Sequence, residues 1–261
     1  MNTSEVPNGI SSANSGLRNV PYAPRNPRPF KSQTNAFQNL ALFANMSAEE
    51  CATIMAAARP EAVERGHIFH FPGDAVRRIV LLTKGAAKIV EVAPNGSAVI
   101  LRMCGPGEFL GAEISVGQRN SSGAESINSS TVLTWDAGTF RALLLRFPAL
   151  RGSIVRATVA QLRDMETRFR EISSERVGAR LSRQVLRLAD QIGQQVSEGV
   201  EINLLREELA QLIGTTVFTV SRLLCQWSRI GIVKIRREAV IVCNRRGLEE
   251  LSERMGQLSM R

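Results

Sequence analysis

The sequence predicts an α+β protein with an antiparallel β jelly roll in its N-terminal half, then one long helix and a C-terminal winged helix-turn-helix. Three observations support this prediction. Short apolar runs alternate with Gly, Pro and Asn turns over residues 60–135, apolar residues recur at helical spacing over 155–172, and two amphipathic segments flank Gly214. The 261 residues are 44% hydrophobic, which is enough for two small domains and their extensions.

Residues 1–38 are predicted to form a disordered or extended arm. They are rich in Asn, Ser, Pro and Arg and show little periodicity. The mild positive charge of this arm could contact a polyanion or another subunit, but we favour an unstructured leader.

Residues 39–148 are predicted to form a globular unit built mainly of short antiparallel strands. A helix begins after Ser47, because Glu49 and Glu50 provide an acidic first turn. The Asn95-Gly96 pair between two alternating runs is typical of a tight hairpin. About eight short strands at this turn density indicate a jelly roll. The clearest predicted strands are 79–82, 87–92, 98–103 and 131–135.

A long helix is predicted over residues 149–173, after Phe147-Pro148 ends a short amphipathic segment. Its apolar positions alternate steps of three and four, which is typical of a narrow seam between two helices. A helix that packs only on its own unit is the alternative, and we favour a homodimer. The predicted dimer seam consists of Val155, Thr158, Leu162, Met165, Phe169 and Ile172.

Residues 174–248 are predicted to form the winged helix-turn-helix, beginning with a helix at 174–193 and a short strand at 200–204. Gly214 suits a turn that needs positive φ, and Thr215 and Thr216 are good N-cap residues for the next helix. One side of that helix is an apolar stripe of Val220, Leu223, Leu224 and Trp227. Its other side, which is the candidate for the major groove of DNA, carries Val217, Phe218, Ser221 and Arg222.

The alternating run at 230–242 predicts a β-hairpin that would form the wing. Arg236 and Arg237 at its tip are placed to meet phosphates, and the formal net charge of +9 suits a polyanionic partner. Residues 249–261 are expected to form a C-terminal tail. The weaker candidates for phosphate contacts are Arg206, Thr216, Thr219 and Arg229.

The residues give little support to a metal-binding, enzymatic or membrane function. The four cysteines are widely spaced without a CxxC pair, so a zinc or iron–sulfur site is poorly supported. No catalytic constellation or phosphate-cradling loop is visible, and we expect the protein not to be an enzyme. No signal peptide or membrane-spanning apolar run is visible either, and we expect a reducing cytoplasm and no membrane partner.

A small jelly roll, a long helix and a winged helix in this order resemble the Crp/Fnr family of bacterial transcription regulators. The resemblance spans about residues 39–248 and is most specific at 208–224, ELAQLIGTTVFTVSRLL, and at the Gly231-Ile232-Val233 entry to the wing. In the barrel, residues 82–85 and 105–111 match the family's turns. The resemblance implies a cyclic-nucleotide-binding-like sensor barrel, an effector-responsive homodimer, double-stranded DNA as the target and RNA polymerase as a partner.

The resemblance also implies roles for residues on the second helix. Arg222 would read a guanine through its O6 and N7, and Ser221 would meet a neighbouring base. The family's usual acidic residue one turn earlier is Phe218 here, which could touch a thymine methyl group or face away. We therefore expect a half-site that differs from the common family operators. The predicted DNA-binding residues are Thr215, Thr216, Val217, Phe218, Thr219, Ser221, Arg222, Arg236 and Arg237.

The effector is left open by the sequence. Cyclic-nucleotide-binding members hold the phosphate with an Arg that precedes Ser or Thr, whereas Arg119 precedes Asn120 here, and Gly111 is separated from Glu113. A buried cyclic phosphate without an Arg would be costly, which argues against cyclic AMP. Because no Cys precedes Cys51, the sequence also argues against the iron–sulfur cluster of oxygen-sensing relatives.

The two histidines, His67 and His70, are three residues apart and would face opposite sides of a strand, which makes them a poor joint metal site. One of them could ligate haem, as in gas-sensing family members, or be an ordinary polar residue, which we favour. Cys104 could be a haem or redox ligand or, as we favour, a buried inert thiol.

A second interpretation keeps the same fold with another function. The chain would be a ligand-binding regulatory module that controls a partner protein, with the C-terminal unit as the interaction surface. A lack of salt-dependent DNA binding would favour it. The operator sequence, and whether the protein activates or represses, are not predicted.

Overall fold

The computed structural model of the chain describes residues 41–257, apart from 44, 93–97 and 112–117. The predicted arm at 1–38 and the predicted Asn95-Gly96 turn lie outside the described residues. A 3-10 turn, Ala41–Phe43, precedes helix α1, Ala48–Ala56. The Ser47 hydroxyl accepts from the N–H of Glu50, and the Glu50 carboxylate accepts from the N–H of Ser47. This capping box confirms the predicted helix start.

Seven strands follow α1 in the described part of the chain and form two antiparallel sheets. One sheet has the order β1-β7-β3, and the other has the order β2-β6-β4-β5. All four strands that the alternating pattern predicted are present, and the predicted antiparallel jelly roll is confirmed. The strands are β1 (Arg59–Val63), β2 (Ile68–His70), β3 (Arg78–Lys84), β4 (Ala87–Val92), β5 (Ala98–Cys104), β6 (Gly123–Ser126) and β7 (Ser130–Asp136).

Two apolar clusters hold this barrel together. Between the sheets, Leu82 and Val132 pack with Ile89 and Cys104, because alternate side chains of each strand point inward. A second cluster covers the β1-β7-β3 sheet with α1 and with helix α2, Ala137–Arg146. Its centre is Trp135, whose indole N–H donates to the carbonyl of Ile54 in α1 at 2.9 Å. The barrel therefore has a closed core and one helix-covered face.

Helix α3, Pro148–Ser174, is the long helix that the sequence predicted, one residue longer at each end. Pro148 occupies its first turn, where the missing N–H leaves no hydrogen bond unmade. Leu150 is buried in the second barrel cluster, and Ser153 is buried one turn later. The start of α3 is therefore fixed to the barrel, and the rest extends as a rod that contacts the barrel again where Arg168 donates to the carbonyl of Leu101 at 3.3 Å.

The C-terminal unit is built of helices and a small antiparallel sheet with the order β10-β11-β9-β8. Its elements are α4 (Val177–Ile192), β8 (Gln194–Val196), β9 (Gly199–Ile202), α5 (Arg206–Ile213), α6 (Val217–Arg229), β10 (Val233–Ile235), β11 (Val240–Val242) and α7 (Arg245–Gln257). The hairpin β10–β11 is the wing, so the predicted winged helix-turn-helix is confirmed.

Two features of this unit differ from the prediction. Strand β8 was not predicted, because Gln194–Val196 shows no alternation of its own and is held as a strand by pairing with β9. Helix α7 crosses the boundary predicted at residue 248, so residues 249–257 continue a helix instead of leaving the unit as a tail. The Ser182 hydroxyl of α4 donates to the carbonyl of Leu248, which is fully buried.

The C-terminal unit packs directly on the barrel. Ile100 and Met103 of β5 share one apolar cluster with Leu209, Leu212 and Ile213 of α5. A polar contact adds to this packing, since Lys88 of β4 donates to the buried carboxylate of Glu208 at 3.2 Å. The position of α5 therefore depends on the barrel.

The turn after β5 makes a second contact with this unit. Gln191 near the end of α4 donates to the carbonyl of Met103 at 2.9 Å and to the carboxylate of Glu108 at 2.6 Å. A Cβ at Gly105 would lie 2.5 Å from the carbonyl oxygen of Gln191, so only glycine allows this approach. Through this turn, α4 is held against the barrel.

A buried ion pair joins the end of α3 to α4. Glu171 is only 3% exposed, and both of its carboxylate oxygens accept from the Arg187 guanidinium at 2.8 Å. Arg183 lies 3.8 Å from the same carboxylate. Two parallel N–H···O bonds fix the orientation of both groups, so the pair sets the direction in which α4 leaves α3.

We expect Glu171→Ala to lower the free energy of unfolding by about 2 kcal/mol or more, because it removes both carboxylate acceptors of the part-buried Arg187 guanidinium, which keeps Gln184 as its hydrogen-bond partner. Glu250→Ala is the matched control. It removes a carboxylate that pairs only at the surface of α7, with Arg246 at 3.4 Å and Arg254 at 4.0 Å. The control should cost less than about 1 kcal/mol. Urea unfolding of the three proteins measures the difference, and equal losses would contradict the structural role of Glu171.

Candidate DNA-binding interface

The turn between α5 and α6 has the geometry that the sequence predicted. Gly214 ends α5 in the left-handed conformation, at φ 62°, which a residue with a side chain adopts at a cost. Ala210 and Ile213 of α5 are buried where the two helices cross. The small side chain of Ala210 lets α6 pack closely on α5, and this crossing is that of a helix-turn-helix.

Helix α6 begins at a capped N-terminus. Thr216 is extended, at φ −90° and ψ 150°, and its hydroxyl accepts from the N–H of Thr219 at 3.2 Å. The hydroxyls of Thr216 and Thr219 also lie 3.0 Å apart. The cap that the sequence predicted is therefore present, and it uses the Thr216 hydroxyl.

One side of α6 is buried as predicted. Val220, Leu223, Leu224 and Trp227 all lie in the core that they share with α4, α5 and the wing. These residues follow one another at steps of three and one, along a single side of the helix. The apolar stripe therefore fixes which side of α6 faces outward.

The opposite side of α6 is open to solvent. Phe218 is 77% exposed and Val217 is 42% exposed, and Arg222 is exposed one turn further along. Ser221 is half-buried between them. We call Val217, Phe218, Ser221 and Arg222 the outer face of α6. Thr216 is also exposed, whereas Thr215 and Thr219 are half-buried at the start of the helix.

The wing tip lies between β10 and β11, at residues 236–239, as the hairpin pattern predicted. Arg236 donates to Glu201 at 2.5 Å and to Glu198 at 2.8 Å, so both predicted arginines are at the tip but Arg236 is already paired. A hydrogen bond from Lys234, together with the charge of Arg236, holds the pKa of the Glu198 carboxyl below its usual value. Arg237 is exposed.

The weaker phosphate candidates lie in different surroundings. Arg229 is exposed in the last turn of α6, whereas Arg206 is half-buried at the first turn of α5. The wing tip is also tied to the barrel, because Arg65 donates to Glu238 at 2.6 Å. Sequence reasoning missed this contact and the Lys88–Glu208 pair. Their partners are far apart in the chain, and neither pair belongs to a local pattern.

The histidines and Cys104 lie in the barrel, away from α6. His70 is half-buried, with Nδ1 3.1 Å from the carbonyl oxygen of Ser122 and Nε2 3.1 Å from that of Leu110. Burial lowers the pKa of His67, whose ring packs edge-on against Phe69 at 4.9 Å. Burial also raises the pKa of the Cys104 thiol to about 12, which is the behaviour of an inert thiol.

Within residues 41–257 as described, no group of three His, Cys, Asp or Glu side chains is arranged to hold a metal ion. In the same part of the chain, no helix is both long and apolar enough to span a membrane.

Two family models match the chain in the order of its two units. The cyclic nucleotide-binding domain matches residues 60–147, and the Crp-like helix-turn-helix domain matches residues 179–251. The first range covers most of the barrel with α2, and the second runs from α4 into α7. Together the two matches cover more than half of the chain.

Full-length relatives have the same organisation. The chain is 25% identical over 206 residues to a CRP-like cAMP-activated global transcriptional regulator of Mycobacterium tuberculosis, covering 77% of this chain and 91% of that protein. It is 26% identical over 213 residues to the probable transcriptional regulator flp of Lacticaseibacillus casei, covering 81% of this chain and 95% of that protein.

Solved structures share the fold. A CRP-family transcriptional regulator from Thermus thermophilus superposes with a TM-score of 0.65 at 22% identity, covering 74% of this chain and 96% of that chain. FixK2 from Bradyrhizobium japonicum also superposes with a TM-score of 0.65, at 18% identity and with the same coverage. With both family domains matched in order, and with relatives that align over most of their length, the chain belongs to the Crp/Fnr family of transcription regulators.

Proposed function

We propose that the protein binds a two-fold symmetric DNA site as an effector-responsive homodimer and inserts α6 of each subunit into the major groove. The observation that carries this proposal is the division of α6 into a buried stripe and an exposed outer face that includes Arg222. A helix of this kind fits the width of the major groove of B-DNA. On DNA, the dimer would act on transcription through RNA polymerase.

Base recognition is assigned to the outer face of α6. The Arg222 guanidinium can donate to O6 and N7 of a guanine together, a pattern that only guanine offers in the major groove. Ser221, which is half-buried beside Arg222, would contact a neighbouring base. Arg237 and Arg229 are exposed at the wing tip and at the end of α6, where they can neutralise phosphates. The remaining contacts position α6 without reading sequence.

Dimerisation is supported by the apolar side of α3. All six residues of the predicted seam are exposed in the single chain, including Phe169, which is 74% exposed. A row of exposed large apolar side chains along a rod is costly in water and indicates a partner surface. A second copy of α3 offers the same row, so pairing about a two-fold axis would bury both. This symmetry matches operator half-sites one helical turn of DNA apart, about 34 Å.

Effector response is supported by a cleft of about 820 Å³ where the barrel, α3 and α4 meet. It is lined by Arg102 and Glu108 from the barrel, Arg168 from α3 and Gln191 from α4, among others. A ligand in this cleft would contact the barrel and the first helix of the C-terminal unit together. It would therefore favour one arrangement of the two units over another, which is the thermodynamic requirement for a switch.

Cyclic AMP, which the name of the Mycobacterium tuberculosis relative mentions, is not the effector that we propose. Arg119 is exposed and donates to the carbonyl of Gly73 at 2.7 Å. Its guanidinium therefore lies at the surface, where it already has a hydrogen-bond partner. Asn120, the next residue, is buried and carries no charge to offer a phosphate.

We expect Arg222→Ala to weaken binding to the preferred operator by about tenfold or more, because a bidentate guanine contact contributes about 1–3 kcal/mol of discrimination. Binding to unrelated DNA at low salt should change much less, since it depends on phosphate contacts. Gel-shift titration on an operator selected from random DNA measures both. Arg141→Ala, which removes an exposed arginine from α2 in the barrel, is the charge-matched control and should leave the ratio unchanged. An equal loss on both DNAs would count against base reading by Arg222.

We expect Phe169→Glu to weaken the dimer by about tenfold or more, because it replaces the most exposed apolar side chain of the seam with a charge. Analytical ultracentrifugation over a range of protein concentrations measures the shift from dimer to monomer. Arg163→Glu also changes the charge of α3, at an exposed position off the seam, and should leave the dimer intact. A Phe169→Glu protein that remains fully dimeric would rule out the seam as the interface.

A further inference from the structure

We infer that the first turn of α6 reads the C5-methyl group of thymine, so that each half-site carries a thymine one or two base pairs from the guanine read by Arg222. The inference rests on the proposed function, since it assumes that α6 enters the major groove. It adds a thymine to the bases assigned to Arg222 and Ser221, and it assigns that thymine to Phe218, with Val217 in support.

The high exposure of the apolar side chains of Phe218 and Val217 indicates that they face a binding partner. Phe218 is the most exposed of the large apolar residues in the described part of the chain, at 77%, and Val217 precedes it at 42%. Both lie in the first turn of a helix whose other side is fully packed, so no rotation of α6 could bury them without exposing Leu224 and Trp227. The apolar side chains of this turn therefore point into solvent.

The major groove offers these side chains one apolar group. Its other base-edge groups are hydrogen-bond donors and acceptors, and only thymine presents a methyl group. A cytosine would call for a carboxylate that accepts from its N4, but the first turn of α6 contains no acidic residue. A phenyl ring placed over a donor or acceptor would leave that group without water or a partner, which disfavours the other bases.

The spacing along α6 locates this thymine relative to the guanine. Phe218 and Arg222 are four residues apart, so their side chains share a face and lie about 6 Å apart along the axis. Base pairs are stacked at about 3.4 Å, so two groups at this distance reach base pairs one or two steps apart. A base pair immediately next to the guanine or one beyond it is therefore within reach of the phenyl ring.

The test begins with operator selection by the wild-type dimer from random duplexes. We expect guanine, with thymine one or two positions away, in both half-sites. That thymine is then replaced by uracil, which removes the methyl group and leaves base pairing unchanged. Loss of one methyl contact should weaken binding about fourfold for each half-site. Uracil in place of a thymine outside the half-sites is the DNA control and should have no effect.

Two variants connect the methyl group to this side chain. Phe218→Ala should bind the thymine and uracil operators equally, and because Phe218 is exposed the substitution leaves the core intact. Phe218→Glu should move the preference at this position from thymine to cytosine, because a carboxylate accepts from cytosine N4. Arg222 is unchanged in both variants, so selection for the guanine should persist.

The outcomes separate this inference from the proposed function. Specific binding by the wild type with equal affinity for the thymine and uracil operators would overturn the inference and leave DNA recognition standing. Discrimination between thymine and uracil that survives in Phe218→Ala would overturn the assignment to Phe218. A wild type without sequence preference would overturn both and would favour a protein partner for the outer face of α6.

Discussion

The carboxylate of Glu171 connects the two halves of this molecule. It is buried at the end of a 27-residue helix, and both of its oxygens are held by Arg187 of the next helix. An ionised carboxylate in such a place is stable only while its partner stays in position, because an unpaired buried charge is far more costly than a broken surface pair. The direction of α4 is therefore fixed relative to α3, and the rest of the C-terminal unit follows α4. A rotation or shift of α3 would therefore act on α6 as well, through α4.

The barrel imposes a second constraint on the same unit. Lys88 holds Glu208 at the start of α5, and the turn around Gly105 receives Gln191 of α4. The C-terminal unit is thus attached at one end to the rod and along its side to the barrel. Because the cleft lies between these two attachments, a ligand there would act on both. In the proposed switch an effector would not need to reach α6 itself, since α4 and α6 share one core and a change in the packing of α4 would act on both.

The features that the sequence predicted are those that depend on local spacing. Gly214, the Thr216 cap and the buried stripe of α6 are each set by residues within a few positions of one another, and all three are present. Four strands of the barrel, β3, β4, β5 and β7, were predicted for the same reason. Strand β8 could not be predicted, because Gln194–Val196 is a strand only through its pairing with β9. The pairing of Arg236 with Glu198 and Glu201 was missed, since the carboxylates come from an earlier hairpin that closes only in the folded unit. Local pattern thus predicted the elements of the candidate interface, and long-range pairing decides which of its charges are engaged.

The ion pairs at the wing reduce the part of the net charge of +9 that is available to attract DNA. The positive groups near the wing are partly neutralised by the protein itself, since Arg236 has two carboxylate partners and Lys234 has one. The Thr216 hydroxyl is used in the helix cap. Among the described residues, the exposed groups of the predicted site that have no ion-pair or capping role are the Arg222 guanidinium and the apolar Val217 and Phe218 on α6, with Arg237 at the wing. Non-specific attraction scales with the phosphates neutralised, whereas discrimination depends on base edges. If α6 enters the major groove as proposed, a surface with these few unpaired cations and a well-fixed α6 would gain more from a correct sequence than from DNA as a polyanion.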